Sequence, residues 1–287
     1  MMEQQPKPFS YNIPWKSNSV HYGDHRGSQR GLGFEYRGNV PLVDYPDARR
    51  MDLRQTLRDP FEQVQVKVFN QDNTTPVFAV CDASSSMQFK GRERKLEKAQ
   101  AICASIAVSA AEAGDIFSII AYDNQVIEDL TLPLSHYVHQ ALEVIAQLES
   151  RHTLGMTADG ILQVPQFLSQ NKGLVFWISD FHMPVALIEQ ALNMMSQHQV
   201  VPVVLWDAME YRRIPKFGFG TLIDPETGLD RTVFFRAQLR AQFIAAFEER
   251  RQMLEDLFLK FESQPLFIEE DFNPDFITHY FEQYMSL

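Results

Sequence analysis

Residues 76–86 have the sequence Pro76-Val-Phe-Ala-Val-Cys-Asp-Ala-Ser-Ser-Ser86. The run up to Cys81 is apolar, which is typical of a strand buried on both faces of a sheet. Asp82, Ser84, Ser85 and Ser86 then place one carboxylate and three hydroxyls on a single turn. Mg²⁺ prefers oxygen ligands of this kind in near-octahedral geometry and usually keeps several waters. The stretch predicts a metal-binding loop at a strand end, although Asp and Ser are also favoured as helix N-caps.

Apolar strands and amphipathic helices alternate along the chain beyond this loop. Strands are predicted at residues 76–81, 115–122, 126–132, 174–179 and 203–206. The strand at 126–132 is predicted to lie at an edge and to end at Pro133, and Ser135 is predicted to cap the helix that follows. This alternation predicts an α/β fold, a doubly wound and mostly parallel sheet flanked by helices. Right-handed crossovers leave the strand order 3-2-1-4-5-6 as the simplest arrangement. The strands at 76–81 and 174–179 are then neighbours at the switch point, where such sheets bind ligands.

Composition divides the chain into four segments. Residues 1–28 are rich in Gln, Pro, Ser, Asn and Gly, which predicts a flexible arm with a few anchors such as Trp15. Residues 29–74 are predicted to be a strand-containing extension, and residues 75–210 the metal-binding domain. Residues 211–287 are predicted to form a hairpin and helices that pack on that domain, with Phe243, Phe247, Leu254, Phe258 and Phe261 along the core face of one long helix.

Bulk properties exclude several classes of protein. The chain has 287 residues, 45% of them hydrophobic, which is enough for a large core. The formal net charge of −11 argues against a general nucleic-acid-binding protein, which would present a basic face. Cys81 and Cys103 are predicted to be buried thiols in a reducing compartment. Because the sequence contains no apolar run of signal-peptide or membrane-span length, we expect a cytoplasmic protein.

Two further loops are predicted to reach the Asp82 loop. Asp180 directly follows the strand at 174–179, so it would face Asp82 across the switch point. Thr157 follows a glycine turn just before the helix that precedes this strand, and it offers a third hydroxyl. The predicted donor set is Asp82, Ser84, Ser86, Thr157 and Asp180. Such a set, poor in charge and rich in hydroxyls, suits a solvated Mg²⁺ or Mn²⁺ with an open coordination position.

This combination of loops resembles the metal-ion-dependent adhesion site of von Willebrand factor A domains. The resemblance implies that Ser84 and Ser86 ligate the metal directly and that Thr157 does so directly or through water. It also implies that Asp82 and Asp180 act through water and that an acidic side chain of a partner protein completes the shell. The family commonly has two glycines before this threonine. Met156 replaces the second one here, which leaves Thr153 as the alternative ligand.

The flanking segments resemble one bacterial branch of that family, over roughly residues 30–287. Residues 34–37 (Phe-Glu-Tyr-Arg), residues 46–54 and the turn at 224–228 are similar to proteins encoded beside MoxR-type AAA+ ATPases, although Leu53 stands where tryptophan is usual. The resemblance implies that the chain is an adaptor for such an ATPase in the maturation of client complexes or cofactor insertion. Candidate docking residues are Arg49, Arg50, Arg54, Arg58 and Arg92, although the first four also fit a solvated, salt-bridged segment.

An enzymatic function has little support in the sequence. The chain contains neither a Walker phosphate-binding loop nor a G-x-G-x-x-G loop, and it has no G-x-S-x-G nucleophile elbow. No histidine follows Ser84 or Ser86 at a place suited to activating a nucleophile. We therefore expect a binding protein and not an enzyme. A metal-free structural scaffold and a Mg²⁺-dependent phosphohydrolase are the alternatives.

Overall fold

The structure is a computed structural model, and it describes residues 6–13, 15, 25–44, 46–91, 94–148, 157–207, 210, 218–223 and 230–285. Its strands are β1 His25–Pro41, β2 Gln65–Asn73, β3 Pro76–Asp82, β4 Ile116–Tyr122, β5 Val126–Ser135, β6 Leu174–Ser179, β7 Gln199–Leu205, β8 Gly218–Ile223, β9 Asp230–Phe235 and β10 Leu266–Ile268. Its α-helices are α1 Leu53–Thr56, α2 Lys95–Glu112, α3 Val138–Ile145, α4 Val185–Met194, α5 Ala237–Leu259 and α6 Asp275–Tyr284. Short 3₁₀ helices span Ala48–Arg50, Ser85–Gln88 and Asp159–Phe167.

The central sheet has six strands in the order β10-β7-β6-β3-β4-β5. Its strand pairs are parallel except for β4 with β5, which is antiparallel. This arrangement confirms the predicted doubly wound, mostly parallel α/β fold. The strand that carries the Asp82 loop lies in the middle, with β4 on one side and β6 on the other. The β1–β2 and β8–β9 pairs form two separate antiparallel sheets.

Alternation along β3 creates a core on each face of the sheet. Val77, Ala79 and Cys81 belong to one core, which also contains residues of α2, α3 and α6. Phe78 and Val80 belong to the other core, which contains residues of α4, α5 and the 3₁₀ helix at Asp159–Phe167. Because both faces are covered, every residue of β3 is buried. Cys81 and Cys103 are free, buried thiols, as predicted.

Two local predictions need correction. The edge strand was expected to end at Pro133, but β5 continues to Ser135, since an edge strand tolerates the missing proline N–H. Ser135 was expected to cap the following helix, but its hydroxyl instead accepts a hydrogen bond from the Tyr137 backbone N–H at 3.0 Å. The helix α3 therefore begins only at Val138, without a side-chain cap.

Residues 6–13 lie on the core, although they fall within the segment expected to be a flexible arm. Phe9 is buried against the first core, and its backbone N–H donates to Ser109 on α2 at 2.9 Å. Tyr11 donates a hydrogen bond to Asp115. Trp15, the expected anchor, packs against the same core beneath the Lys172 ammonium, which lies 4.8 Å from its ring centroid. This part of the arm is therefore bound to the domain.

The C-terminal helices cover both faces of the sheet. Leu254, Leu257 and Phe258 of α5 are buried in the second core, where Phe247 and Phe261 also pack. In the first core the contribution of α6 comes from Ile277, Tyr280 and Phe281. The turn at 224–228 lies outside the described residues. Across the described helices, none has both the length and the apolar character needed to cross a bilayer.

Candidate functional site

The carboxyl ends of β3 and β6 place Asp82 at the centre of a buried polar network. The two strands are parallel neighbours with Cys81 opposite Ile178, so their following loops meet. One carboxylate oxygen of Asp82 accepts the Ser84 backbone N–H at 2.9 Å, and the other accepts the Ser179 hydroxyl at 2.7 Å. Asp82 therefore fixes the start of its own loop and ties that loop to β6.

The two predicted serine ligands lie side by side. Their Oγ atoms are 3.2 Å apart, and both residues are buried. Ser84 is the N-cap residue of the 3₁₀ helix Ser85–Gln88, but its side chain makes no capping hydrogen bond. The N-cap interpretation of this motif is thus correct for the backbone of Ser84, while its hydroxyl contacts the Ser86 hydroxyl.

Asp180 is paired with a cation that is not part of the predicted donor set. Its Oδ2 lies 2.8 Å from the Lys95 ammonium, and both side chains are buried. Its Oδ1 accepts the His182 backbone N–H at 3.2 Å. Burial acts to raise the pKa of Asp180, but the charges of Lys95 and His182 and these hydrogen bonds outweigh it and lower that pKa to about 2.

Lys95 has a second carboxylate partner. Its ammonium lies 2.5 Å from Glu210 Oε1, which is itself 3.9 Å from His182 Nε2. Burial acts to lower the pKa of Lys95, but the charges of Asp180 and Glu210 raise it above its ordinary value. The lysine therefore stays charged in the interior, bridging two acidic side chains that come from different parts of the chain.

The charge balance around Asp82 is different. Burial, followed by the nearby charge of Asp180, raises the pKa of Asp82 to about 6, although Ser179 and Ser84 donate hydrogen bonds to it. Asp82, Asp180 and Glu210 bring three carboxylates to this edge, and Lys95 is the cation in direct contact with two of them. The site carries an excess of buried negative charge beside a pair of hydroxyl oxygens.

The loop after β6 is held from behind by the C-terminal helix α5. Phe181 adopts a left-handed backbone conformation with φ of 52°, which is uncommon for a bulky residue. Arg250 donates hydrogen bonds to the carbonyl groups of Phe181 at 2.6 Å and Met183 at 2.5 Å. Trp206 donates to the Asp180 carbonyl at 2.9 Å, and the His182 ring stacks on its indole. These contacts set the position of the Asp180 carboxylate.

Thr157 has different surroundings. It is exposed, and its hydroxyl donates to Asp159 at 2.7 Å and lies 3.2 Å from the Asn124 amide oxygen. The contacts described for Thr157 thus go to neighbours of its own loop and of the loop after β4. The structure brings Asp82, Ser84 and Ser86 into one hydrogen-bonded group, with Asp180 close enough for its charge to act on Asp82. The alternative residue Thr153 lies outside the described residues.

The candidate docking arginines fall into two classes. Arg49 and Arg50 both pair with Asp47, at 3.0 Å and 3.6 Å. Arg54 and Arg58 are exposed, and within the described part of the chain neither makes an ion pair. Three exposed apolar residues, Leu53, Leu57 and Phe61, lie in the same segment. Arg92 lies outside the described residues.

The chain was compared with known proteins. The model of a protein family of unknown function, DUF58, matches residues 45–253. The chain belongs to this family. A search of curated proteins found no match to this DUF58 protein.

Three solved structures resemble this DUF58 protein. The conserved hypothetical protein BatB from Bacteroides thetaiotaomicron has a TM-score of 0.47 and 14% identity, covering 74% of this chain and 98% of that one. An aerotolerance-related membrane protein from Bacteroides fragilis, with multiple mutations to serines, has a TM-score of 0.45, 18% identity and the same coverage. An uncharacterised membrane-spanning protein from Vibrio fischeri has a TM-score of 0.24 and 13% identity, covering 71% of this chain and 94% of that one.

Several residues that build the site of this DUF58 protein lie outside the predicted donor set. Lys95 carried a signal, because a cation in the first turn of a helix opposes the helix dipole and so calls for a compensating anion. Ser179 directly precedes Asp180 and could have been included with it. Glu210 and Arg250 gave no signal, since each reaches the site from a segment far away in sequence.

The donors of this DUF58 protein suit a hydroxyl-rich metal site. Mg²⁺ holds oxygen ligands at ~2.1 Å in octahedral geometry, so adjacent ligand oxygens lie about 3 Å apart. The Ser84 and Ser86 oxygens, 3.2 Å apart, match that spacing. Among the described residues, no group of three or more His, Cys, Asp and Glu side chains is arranged to hold a metal. A bound ion would therefore be ligated mainly by the hydroxyls. Asp82 and Asp180 would contribute from outside the ligand shell.

Proposed function

We propose that this protein is a divalent-metal-dependent protein–protein interaction module. One observation carries the proposal: two adjacent buried hydroxyls lie beside a carboxylate whose pKa is raised to about 6 at the switch point of the sheet. A buried cluster with excess negative charge is stabilised by a cation. The spacing and chemistry of the donors favour Mg²⁺ or Mn²⁺ over a soft metal.

The residues of the chain would have distinct roles in binding. Ser84 and Ser86 supply the hydroxyl oxygens that hold the ion. Asp82 accepts the Ser84 N–H and the Ser179 hydroxyl, so it keeps the serine loop in position. Asp180 contributes negative charge from the neighbouring strand. When bound, the ion supplies an electrophilic centre that a carboxylate from a partner protein can reach by displacing water.

A metal titration tests this function directly. We expect one Mn²⁺ or Mg²⁺ to bind per chain in calorimetry, and Asp82→Ala combined with Ser84→Ala to abolish the binding. Ser118→Ala is the matched control, because Ser118 is also buried and its hydroxyl donates to the Leu132 carbonyl in β5, away from the Asp82 loop. Wild-type binding that survives the double substitution would exclude this site. Absence of binding by the wild type would leave the metal-free scaffold as the better description.

The partner we propose is a MoxR-type AAA+ ATPase, with this chain as its adaptor in the maturation of client complexes or cofactor insertion. The resemblance of the sequence to proteins encoded beside such ATPases motivates this choice. The exposed segment that carries Leu53, Leu57, Phe61, Arg54 and Arg58 supports it, because exposed apolar and cationic side chains together suit an acidic, partly apolar partner surface.

Charge reversal tests the docking surface. Arg54→Glu should slow association with the purified ATPase and reduce the salt dependence of that association, since exposed charges act mainly on the association rate. Lys260→Glu is the matched control, because Lys260 is also exposed but lies at the end of α5. Equal association rates for the two variants would exclude this surface.

A phosphohydrolase is the enzymatic alternative, since an ion with an open position can activate water. A screen with phosphate esters and nucleotides, repeated on Ser84→Ala, separates the two functions. Turnover that requires both Mg²⁺ and Ser84 would replace the binding function with a catalytic one.

A further inference from the structure

The Lys95 ammonium lies where it must influence any cation that enters this site. We propose that Lys95 is an internal cation that competes with the divalent ion for Asp180, so that metal loading requires Lys95 to shift from Asp180 onto Glu210. The inference rests on the metal-dependent function proposed above and adds how loading of that site is regulated.

Each carboxylate oxygen of Asp180 already has a partner in the protein. Its Oδ2 lies 2.8 Å from the Lys95 ammonium, and its Oδ1 accepts the His182 N–H at 3.2 Å. Trp206 and Arg250 restrain the loop that carries it, so the carboxylate has little freedom to turn elsewhere. An ion at the serine hydroxyls that draws on Asp180, directly or through a water, must therefore share or replace the contact with Lys95.

Lys95 has a second carboxylate partner to which it can shift. Its ammonium already contacts Glu210 Oε1 at 2.5 Å, so a shift away from Asp180 would give up one carboxylate and keep the other. Glu210 is itself anchored, because its Oε2 accepts the Asp207 backbone N–H at 3.0 Å. The ring of Phe89, whose centroid lies 5.6 Å from the ammonium, offers a further favourable contact.

The charges in the site favour a mechanism in which the divalent ion displaces Lys95 from Asp180, over one in which Lys95 simply keeps the ion out. Three carboxylates, those of Asp82, Asp180 and Glu210, face the single ammonium of Lys95. The Arg250 guanidinium adds a second positive charge from behind the loop. These five side chains, three carboxylates and two cations, therefore carry a net charge of −1 with Lys95 in place when His182 is neutral. A divalent ion beside Asp82 and Asp180, with Lys95 on Glu210, would distribute the positive charge over all three carboxylates.

A double-mutant cycle read out by Mn²⁺ calorimetry tests the competition. Lys95→Met should bind Mn²⁺ about tenfold more tightly than the wild type, because the competing cation is gone. Glu210→Gln should bind Mn²⁺ about fivefold more weakly, since Lys95 then has no second carboxylate. In the double variant the Glu210→Gln effect should disappear. Lys98→Met is the matched control, because Lys98 is buried on the same helix and should not alter the affinity.

The outcomes separate this inference from the proposed function. Binding of Mn²⁺ by the wild type with no gain in Lys95→Met overturns the competition and leaves the metal site standing. Absence of binding in both proteins overturns the competition and the metal site together. If Lys95→Met fails to fold without metal, Glu210→Gln decides alone: weaker binding supports the competition, and unchanged binding overturns it.

Discussion

Buried polar groups have different surroundings at the two ends of the central sheet. At the amino end, Asp115 is buried, and its carboxylate accepts the Thr75 N–H at 2.6 Å and the hydroxyl of Tyr11. The His198 ring accepts the Gly173 N–H at 3.2 Å at the same end. At the carboxyl end, Asp180 and Glu210 share one ammonium, and Asp82 has a raised pKa.

This contrast separates buried polar groups that stabilise the fold from buried polar groups that form the candidate site. The Thr75 N–H and the Tyr11 hydroxyl both donate to Asp115, which joins the starts of β3 and β4 to the N-terminal segment. The carboxyl end holds a carboxylate excess beside two hydroxyls, an arrangement that is stabilised by a bound cation. The difference teaches that a buried carboxylate whose pKa is raised by burial and a neighbouring like charge, as for Asp82, marks a candidate site.

The largest effect is expected at the amino end. Asp115→Ala should lower the free energy of unfolding by about 3 kcal/mol, because it leaves the Thr75 N–H and the Tyr11 hydroxyl without their acceptor. Urea denaturation measures the loss, and Mn²⁺ should not alter it. Asp115→Asn, which keeps one acceptor oxygen, should lose less. A loss below about 1 kcal/mol for Asp115→Ala would contradict the structural role assigned to this end.

Acid should weaken the amino end through His198. Burial, aided by the charge of Lys172, lowers its pKa to about 4, from 6.5 in the unfolded chain. Between these values the unfolded state binds more protons, so stability present above pH 6.5 is lost as the pH falls toward 4. We expect a loss of about 1–2 kcal/mol after allowance for solvent screening. His198→Gln should flatten this part of the stability profile, and an unchanged profile would rule out His198 as its source.

At the carboxyl end, removal of a charge should stabilise the protein. Asp82→Asn should raise the free energy of unfolding in EDTA by about 1 kcal/mol, because it relieves a buried charge beside Asp180. Thermal and urea unfolding in EDTA measure the gain. Asp115→Asn at the other end is the control and should be destabilising. If both asparagine variants were destabilised equally, the two ends would not differ as described.

The smallest effect is expected for Thr157. Thr157→Ala should change the free energy of unfolding by less than about 0.5 kcal/mol, because the side chain is exposed. Its effect on Mn²⁺ affinity should be smaller than that of Ser84→Ala, since its hydroxyl already bonds to Asp159 and Asn124. A loss of affinity equal to that of Ser84→Ala would show that the loop turns its hydroxyl toward the ion.

The fold could be predicted from the sequence because its signals are local. The apolar runs of β3 and β6 and the helical period of α2 mark elements buried on known faces, and right-handed crossovers then leave few strand orders. The same logic placed Asp82 and Asp180 on neighbouring loops. Element ends were less certain, as Pro133 shows, because an edge position decides whether a proline interrupts a strand.

The site was only partly predictable, because its remaining contacts join distant segments. Lys95 meets Glu210 across more than a hundred residues, and Arg250 reaches the Phe181 loop from a helix that follows the hairpin. Periodicity reports which face of an element is buried, but it does not say which charged side chains meet across two elements. The anchored segment at residues 6–13 escaped prediction for a related reason: Phe9 and Ile13 are two apolar residues within a polar composition.

The hydrogen bonds from Arg250 to the Phe181 and Met183 carbonyls have a consequence for modularity. Composition suggests that residues 75–210 form a self-contained unit, yet the loop bearing Asp180 is fastened by a guanidinium forty residues beyond that boundary. A fragment that ends at residue 210 would keep both serine hydroxyls but would lose the hydrogen bonds from Arg250 to the loop that carries Asp180. The site therefore cannot be transferred to another protein with the sheet alone, because α5 is needed to hold the Asp180 loop.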